Sequence, residues 1–199
     1  MGDFYIKNSG SWQKVLRPLV KHDGQWRPIK RIFVKVDGIW RQVFGNTGTL
    51  TISTAGSSSF TVPTGVYTIE ATLTGAGGGG GGGHSKGCSN GSHTGGSGGG
   101  GFVVKQTINV TPGQILNYSI GPGGAGGQGD ANGSSGGATT FSTFTANGGT
   151  GGIKGTSKGK GANGTGGTAL NGGAGGKGDS TIVGGTGSPG KNGSLVLVW

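Results

Sequence analysis

The sequence predicts an all-β protein, with an N-terminal module of three 14-residue β-hairpin repeats followed by a small β-sandwich that carries polyglycine-II-like glycine-rich loops. Three observations predict this. Glycine supplies 54 of 199 residues, about four times its usual share. A motif returns every 14 residues within the first 45. Short runs rich in Val, Ile, Thr and Phe, bounded by Gly or Pro, recur from Thr49 to the C-terminus.

The repeat reads Tyr-Ile-Lys-x-x-Gly-x-Trp-x-x-Val, then Leu-Val-Lys-x-x-Gly-x-Trp-x-x-Ile, then Phe-Val-Lys-x-x-Gly-x-Trp-x-x-Val. In register it aligns Lys7, Lys21 and Lys35, then Gly10, Gly24 and Gly38, then Trp12, Trp26 and Trp40. Each copy has an apolar run, a turn signal (Asn8-Ser9-Gly10, Asp23-Gly24, Asp37-Gly38) and a second run starting near the Trp. That order predicts a β-hairpin, because Gly adopts the positive φ of a tight turn freely and Asp tolerates it. One hairpin is too small to be stable alone, so the three are expected to pack together or on a partner, each adding its Trp to a shared apolar patch, with the tryptophans read first as plain core residues. A docking or assembly module over residues 1–45 follows, with Trp12, Trp26, Trp40, Lys7, Lys21 and Lys35 as its contact residues. A stacking platform for nucleic acid or sugar is the alternative use of the same side chains.

Residues 46–199 form the second expected domain. Strands are predicted at 49–53, 59–62, 66–75, 102–110, 115–120, 139–144 and 194–199, from β-branched and aromatic enrichment. The pieces around Pro63-Thr64-Gly65 and Thr111-Pro112-Gly113-Gln114 read as tight turns. The closing Leu195-Val196-Leu197-Val198-Trp199 is apolar throughout, which predicts a strand buried on both faces. Between the strands run three glycine tracts, 75–101, 121–137 and 148–193. Glycine chains without side chains can form three-residue-per-turn helices that pack closely. Lys154, Lys158, Lys160, Asn163 and Leu170 break any continuous Gly-X-Y period in the third tract, which predicts a bundle of short rods joined by variable turns.

Net charge is +10. Nine Lys or Arg against three Asp in residues 1–45 leave +6 there and +4 in the remainder. A basic balance fits nucleic acid, an anionic membrane surface or an acidic polysaccharide alike. Every basic residue of the glycine tracts is Lys or His, without Arg-Gly-Gly repeats, which disfavours nucleic acid. The single Cys88 excludes an intrachain disulfide framework. No apolar run has the length of a signal-peptide core or a membrane span, so a soluble chain is expected, exported, if at all, without a cleaved Sec signal.

Catalytic chemistry is not expected. Glu70, Asp130 and Asp179 are the only carboxylates of the glycine-rich part, and none is placed to pair for acid–base hydrolysis. His84, Cys88 and His93 have a spacing that matches no standard zinc site, with no fourth ligand nearby, so no metal or cofactor is expected. Gly121-Pro122-Gly123-Gly124-Ala125-Gly126 satisfies G-x-G-x-x-G but precedes no helix, which removes the dipole a pyrophosphate requires.

Taken in order, Phe60-Thr61-Val62-Pro63-Thr64-Gly65-Val66, Ala71-Thr72-Leu73-Thr74-Gly75-Ala76, Val110-Thr111-Pro112-Gly113-Gln114, Tyr118-Ser119-Ile120-Gly121-Pro122-Gly123-Gly124, Ala138-Thr139-Thr140-Phe141 and the strand to Trp199 resemble the glycine-rich domain of phage tail-fibre proteins. The resemblance covers residues 49–199 and extends more loosely to the distal long-tail-fibre adhesins of T-even-like phages. It implies a lattice of polyglycine II helices whose connecting loops contact outer-membrane protein or surface polysaccharide. On that basis the chain is expected to be a virion tail-fibre or tail-tip adhesin, with His84, Lys86, His93, Lys154, Lys158, Lys160 and Lys177 as candidate host-contact residues. Its expected partners are other virion tail proteins, met either as a homotrimer or as a monomeric cap on a trimeric fibre. A structural virion protein, such as a tail adaptor or capsid decoration without a receptor, is the alternative.

Overall fold

The computed structural model describes residues 4–15, 19–29, 32–36, 38–44, 47–84, 93–169 and 185–199. The fold is all-β, and the described residues contain no helix. Among the described residues fourteen strands make five antiparallel sheets.

Six strands pair two by two: β1 (Phe4–Asn8) with β2 (Ser11–Val15), β3 (Leu19–His22) with β4 (Gln25–Pro28), and β5 (Ile32–Val36) with β6 (Ile39–Phe44). In the first two, Ser9 and Gly10 (φ 47° and 84°) and Asp23 and Gly24 (φ 51° and 77°) are the two central turn residues. Positive φ at both marks a type I′ turn, whose twist matches that of the strands it joins. The identical register places Lys7 opposite Trp12, Lys21 opposite Trp26 and Lys35 opposite Trp40.

The other eight strands form a sandwich. One sheet has the order β10-β9-β14-β7, with β7 (Thr49–Ile52), β9 (Thr68–Thr74), β10 (Val103–Asn109) and β14 (Ser194–Val198). The second runs β13-β12-β11-β8, with β8 (Gly56–Thr61), β11 (Ile115–Ile120), β12 (Thr139–Phe141) and β13 (Phe144–Ala146). Alternation supplies the core: Ile69, Ala71, Leu73, Leu195 and Leu197 face Phe60, Leu116, Ile120, Phe141 and Ala146. Two type II turns close one end. In each, the glycine at the third position carries positive φ (Gly65 80°, Gly113 81°), and Val66 and Gln114 donate back to Pro63 and Thr111. Two expectations are corrected here. β14 is buried on one face only, since Leu195 and Leu197 are inside while Val198 is exposed, because only one layer covers its sheet. The run 139–144 is two strands of a hairpin turning at Ser142 and Thr143.

The described parts of the glycine tracts are rods that leave the sandwich at one end. Rod 1 (75–84) continues β9 and rod 2 (93–102) runs into β10. Rod 3 (121–128) continues β11, rod 4 (131–137) returns to β12, and rod 5 (147–155) continues β13. Rod 6 (161–167) returns beside rods 2 and 5, and rod 7 (185–193) leads into β14. Rod 1 is the axis. Gly75, Gly78, Gly81 and His84 donate backbone N–H groups to Phe102, Gly99, Gly96 and His93 of rod 2 at 2.8–2.9 Å. Ala76, Gly79 and Gly82 donate to Gly137, Ser134 and Ala131 of rod 4; Gly77, Gly80 and Gly83 donate to Lys191, Ser188 and Gly185 of rod 7. A partner that changes at every residue and recurs at every third is the mark of a three-residue-per-turn helix of polyproline II type. Carbonyls of the same rod accept from Gly124 and Gly127 of rod 3 and from Gly149, Gly152 and Gly155 of rod 5.

This geometry explains the run of seven glycines at 77–83. Every one of them is buried, and a Cβ at Gly78 or Gly79 would lie on the carbonyl group of Thr150 or Ala125. Outer rods relax the rule with a period of three. In rod 3, Gly121, Gly124 and Gly127 are buried while Pro122, Ala125 and Gln128 are exposed. Irregularity in the third tract arises because the phase restarts at each turn, not because the period is lost.

Gly79→Ala should cost about 3 kcal/mol or more, the upper range for overpacking against atoms that cannot move aside. Gly159→Ala, where a Cβ meets nothing within 4 Å, should change stability by less than about 0.5 kcal/mol. Urea unfolding of the two variants beside the parent measures both.

Candidate functional site

Rods 1 and 2 end at His84 and His93, whose backbones exchange hydrogen bonds (2.8 Å and 3.3 Å). Rods 3 and 4 are joined by Gln128-Gly129-Asp130, with Gly129 at positive φ (50°) and Ala131 N–H donating to Gln128. Rods 5 and 6 are joined through Thr156–Gly159, which close on each other by backbone hydrogen bonds. All three junctions lie at the end of the bundle away from the sandwich, because rods 1, 3 and 5 leave from the ends of β9, β11 and β13 and their partners run back beside them. The expected contact residues His84, His93, Lys154, Lys158 and Lys160 are thereby gathered at one tip. Lys158 and Lys160 are exposed and Lys154 is half-buried. Lys86 and Lys177, with Cys88 and Asp179, lie outside the described residues.

At this tip His84 Nδ1 is 2.7 Å from Asp130 Oδ1. A carboxylate can only accept, so Nδ1 carries the hydrogen, and in the neutral imidazole Nε2 then holds the lone pair. Among the described residues His84 Nε2 is buried and has no hydrogen-bond partner. The sequence reading considered Asp130 only as a possible catalytic carboxylate, and it missed the pairing because 46 residues separate the two side chains. It also missed a set of asparagines. Asn132, Asn163 and Asn192 accept backbone N–H bonds from Lys154, Ser97 and Gly123 at 2.9–3.0 Å. Each precedes a glycine (Gly133, Gly164, Gly193), a dipeptide usually read as a turn. Here it fastens one rod to the next, and its recurrence in three rods was the available signal.

Among the described residues neither Glu70 nor Asp130 has a carboxylate partner: Glu70 pairs with Lys105 at 2.9 Å on the outer face of the sandwich. Two shallow depressions on the sandwich are about 500 Å³ each. One is lined by hydroxyl groups, among them Ser57, Ser59, Ser119 and Thr140. The other is lined by Thr68, Glu70, Thr107 and Trp199.

The glycine-rich domain family matches residues 52–196. The chain belongs to this family. The matched span takes in both sheets of the sandwich, from Ile52 at the end of β7 to Val196 within β14, together with all the rods. No curated protein matches the chain.

Outside the glycine-rich domain, the hairpin tryptophans are not core residues. Trp12, Trp26 and Trp40 are 66–68% exposed, so among the described residues of this chain they form no core, a two-stranded ribbon being a single layer. Lys7 and Lys35 place their ammonium groups 5.9 Å from the ring centroids of Trp12 and Trp40, within cation–π range. Tyr5, Leu19 and Phe33, two residues before each lysine, are nearly half exposed on the same face. The three hairpins thus carry equivalent faces of aromatic or aliphatic residue, lysine and tryptophan.

Tryptophan fluorescence should report this directly. The parent protein should emit at long wavelength and be readily quenched by acrylamide. The triple variant Trp12→Phe, Trp26→Phe, Trp40→Phe retains only Trp199, whose ring packs tilted at 5.4 Å from Phe60, and should emit at shorter wavelength with reduced quenching.

Proposed function

We propose that the chain is a non-enzymatic phage tail-fibre or tail-tip protein that contacts the bacterial surface through the tip of its glycine bundle. The observation that carries this reading is the collection of His84, His93, Lys154, Lys158 and Lys160 at one end of a hydrogen-bonded bundle. A bundle whose axial rod has all its N–H groups paired is a stiff support, and rigidly supported loops lose little entropy on binding. Cationic side chains there suit anionic surface polysaccharide or an acidic outer-membrane protein loop.

In this reading residues 1–45 are the attachment part. Their exposed Trp12, Trp26 and Trp40 with Lys7, Lys21 and Lys35 dock on other tail proteins, and three equivalent faces fit either a monomeric cap on a trimeric fibre or a homotrimer. Burial of exposed apolar faces by a partner also answers the instability of lone hairpins. The protein then acts in the virion, after synthesis in the host cytoplasm.

The test is binding of labelled full-length protein to a panel of Gram-negative strains, with competition against phage adsorption on any strain that binds. Lys158→Glu with Lys160→Glu should reduce cell binding at least about tenfold if tip charge drives contact, and raised salt should weaken it. A chain that binds no strain and blocks no adsorption would be a purely structural virion component. Binding that is unchanged in the double variant would move the contact away from these lysines.

A further inference from the structure

We infer that the tip holds a divalent transition-metal site made by the imidazoles of His84 and His93, with Asp130 as its positioning residue. The two histidines are directly opposite each other in an antiparallel bridge, and their N–H groups are exchanged. Opposed residues of such a pair project to the same face with Cβ atoms about 5.5 Å apart, a span over which two imidazoles can share one ion at about 2.0–2.1 Å from each nitrogen.

His84 supplies the independent observation. Its Nδ1–H is taken by Asp130 Oδ1 at 2.7 Å, and its Nε2 is buried with no partner among the described residues. A buried lone pair left unmatched is costly, and a carboxylate on the far ring nitrogen is the arrangement that fixes the tautomer and raises the basicity of a metal-bound histidine. An ion at Nε2 satisfies the orphaned atom. Imidazole donors select borderline metals such as Zn²⁺, Ni²⁺ and Cu²⁺ over Mg²⁺ and Ca²⁺. Among the described residues no three His, Cys, Asp or Glu side chains are grouped for metal binding, so water completes the shell and affinity is that of a two-histidine site. Bound metal would clasp the ends of rods 1 and 2, between which residues 85–92 run. This inference goes beyond the proposed function and holds whether or not the tip meets a cell.

The experiment titrates Zn²⁺ into full-length protein carrying Cys88→Ser, which removes the thiol as a competing ligand, with calorimetry and thermal unfolding as readouts. One equivalent should bind, Mg²⁺ should not compete, and saturation should raise the melting temperature by mass action. His84→Ala and His93→Ala should each weaken binding at least about tenfold and remove the thermal shift, while Asp130→Asn should weaken it about 10- to 100-fold. In parallel, substoichiometric Cu²⁺ should broaden the NMR signals of His84 and His93 first. No binding of Zn²⁺, or undiminished binding in either histidine variant, overturns the site. So does broadening confined to His22, which sits beside Asp23 at 2.8 Å in the second hairpin. Circular dichroism checks that each variant folds, and neither histidine side chain takes part in the backbone bonds that join the rods.

Discussion

Close approach of backbones around residues 75–83 is the constraint on which the rest of the glycine-rich domain depends. Each residue there donates its N–H to one of three neighbouring rods in turn. Rods that bond laterally at 2.7–3.0 Å leave no radial space for a side chain. Glycine is thus selected by exclusion, although it loses more conformational freedom on folding than any other residue. The opposing gain is collective: each N–H finds a carbonyl in an interior where an unpaired one is costly. Rods on the outside are covered on fewer sides, so every third position there accepts Pro122, Ala125, Thr150 or Ile153. The same constraint produces both the seven-glycine run and the looser period around it.

The sandwich sets the register of this bundle. β9 and β10 are paired up to Thr74 and Val103, and the next bond, from Gly75 N–H to Phe102, belongs to rods 1 and 2. The ladder of a β-hairpin thus passes without interruption into a pair of polyglycine helices. Buried Thr139 marks a second junction, accepting from Gly121 N–H at 3.3 Å where rod 3 leaves β11. A small apolar core therefore anchors one end of rods 1 to 5 and of rod 7, and lateral hydrogen bonding carries the order outward to residues that have no core of their own.

Two kinds of surface result. At the tip, short turns bring lysines and histidines together on a stiff support. On the hairpins, indole rings and lysines are displayed from ribbons with little to bury. Charge follows this division, because the hairpin segment carries more than half of the net positive charge while the outer sandwich face with Ser57, Ser59, Asn117 and Ser119 carries none.

Much of the fold was legible because its signals are local. Type I′ and type II turns follow from Asp23-Gly24 and Pro112-Gly113, and core strands follow from the alternation of Ile69, Ala71 and Leu73. The hairpin register follows from the 14-residue repeat. That the tryptophans form no core within the chain could not be read, since hydrophobicity states a preference and only the presence of a second layer satisfies it. The tip residues could be named as candidates, but their convergence could not be read. His84 meets Asp130 across 46 residues, and which turns share an end depends on how many three-residue steps each rod takes before reversing. By itself the sequence determined strands, turns and the need for glycine, because these depend on φ preferences and side-chain size. The tertiary structure alone decided which rod is central and which side chains meet at the tip, because lateral hydrogen bonds between backbones carry no residue-specific code.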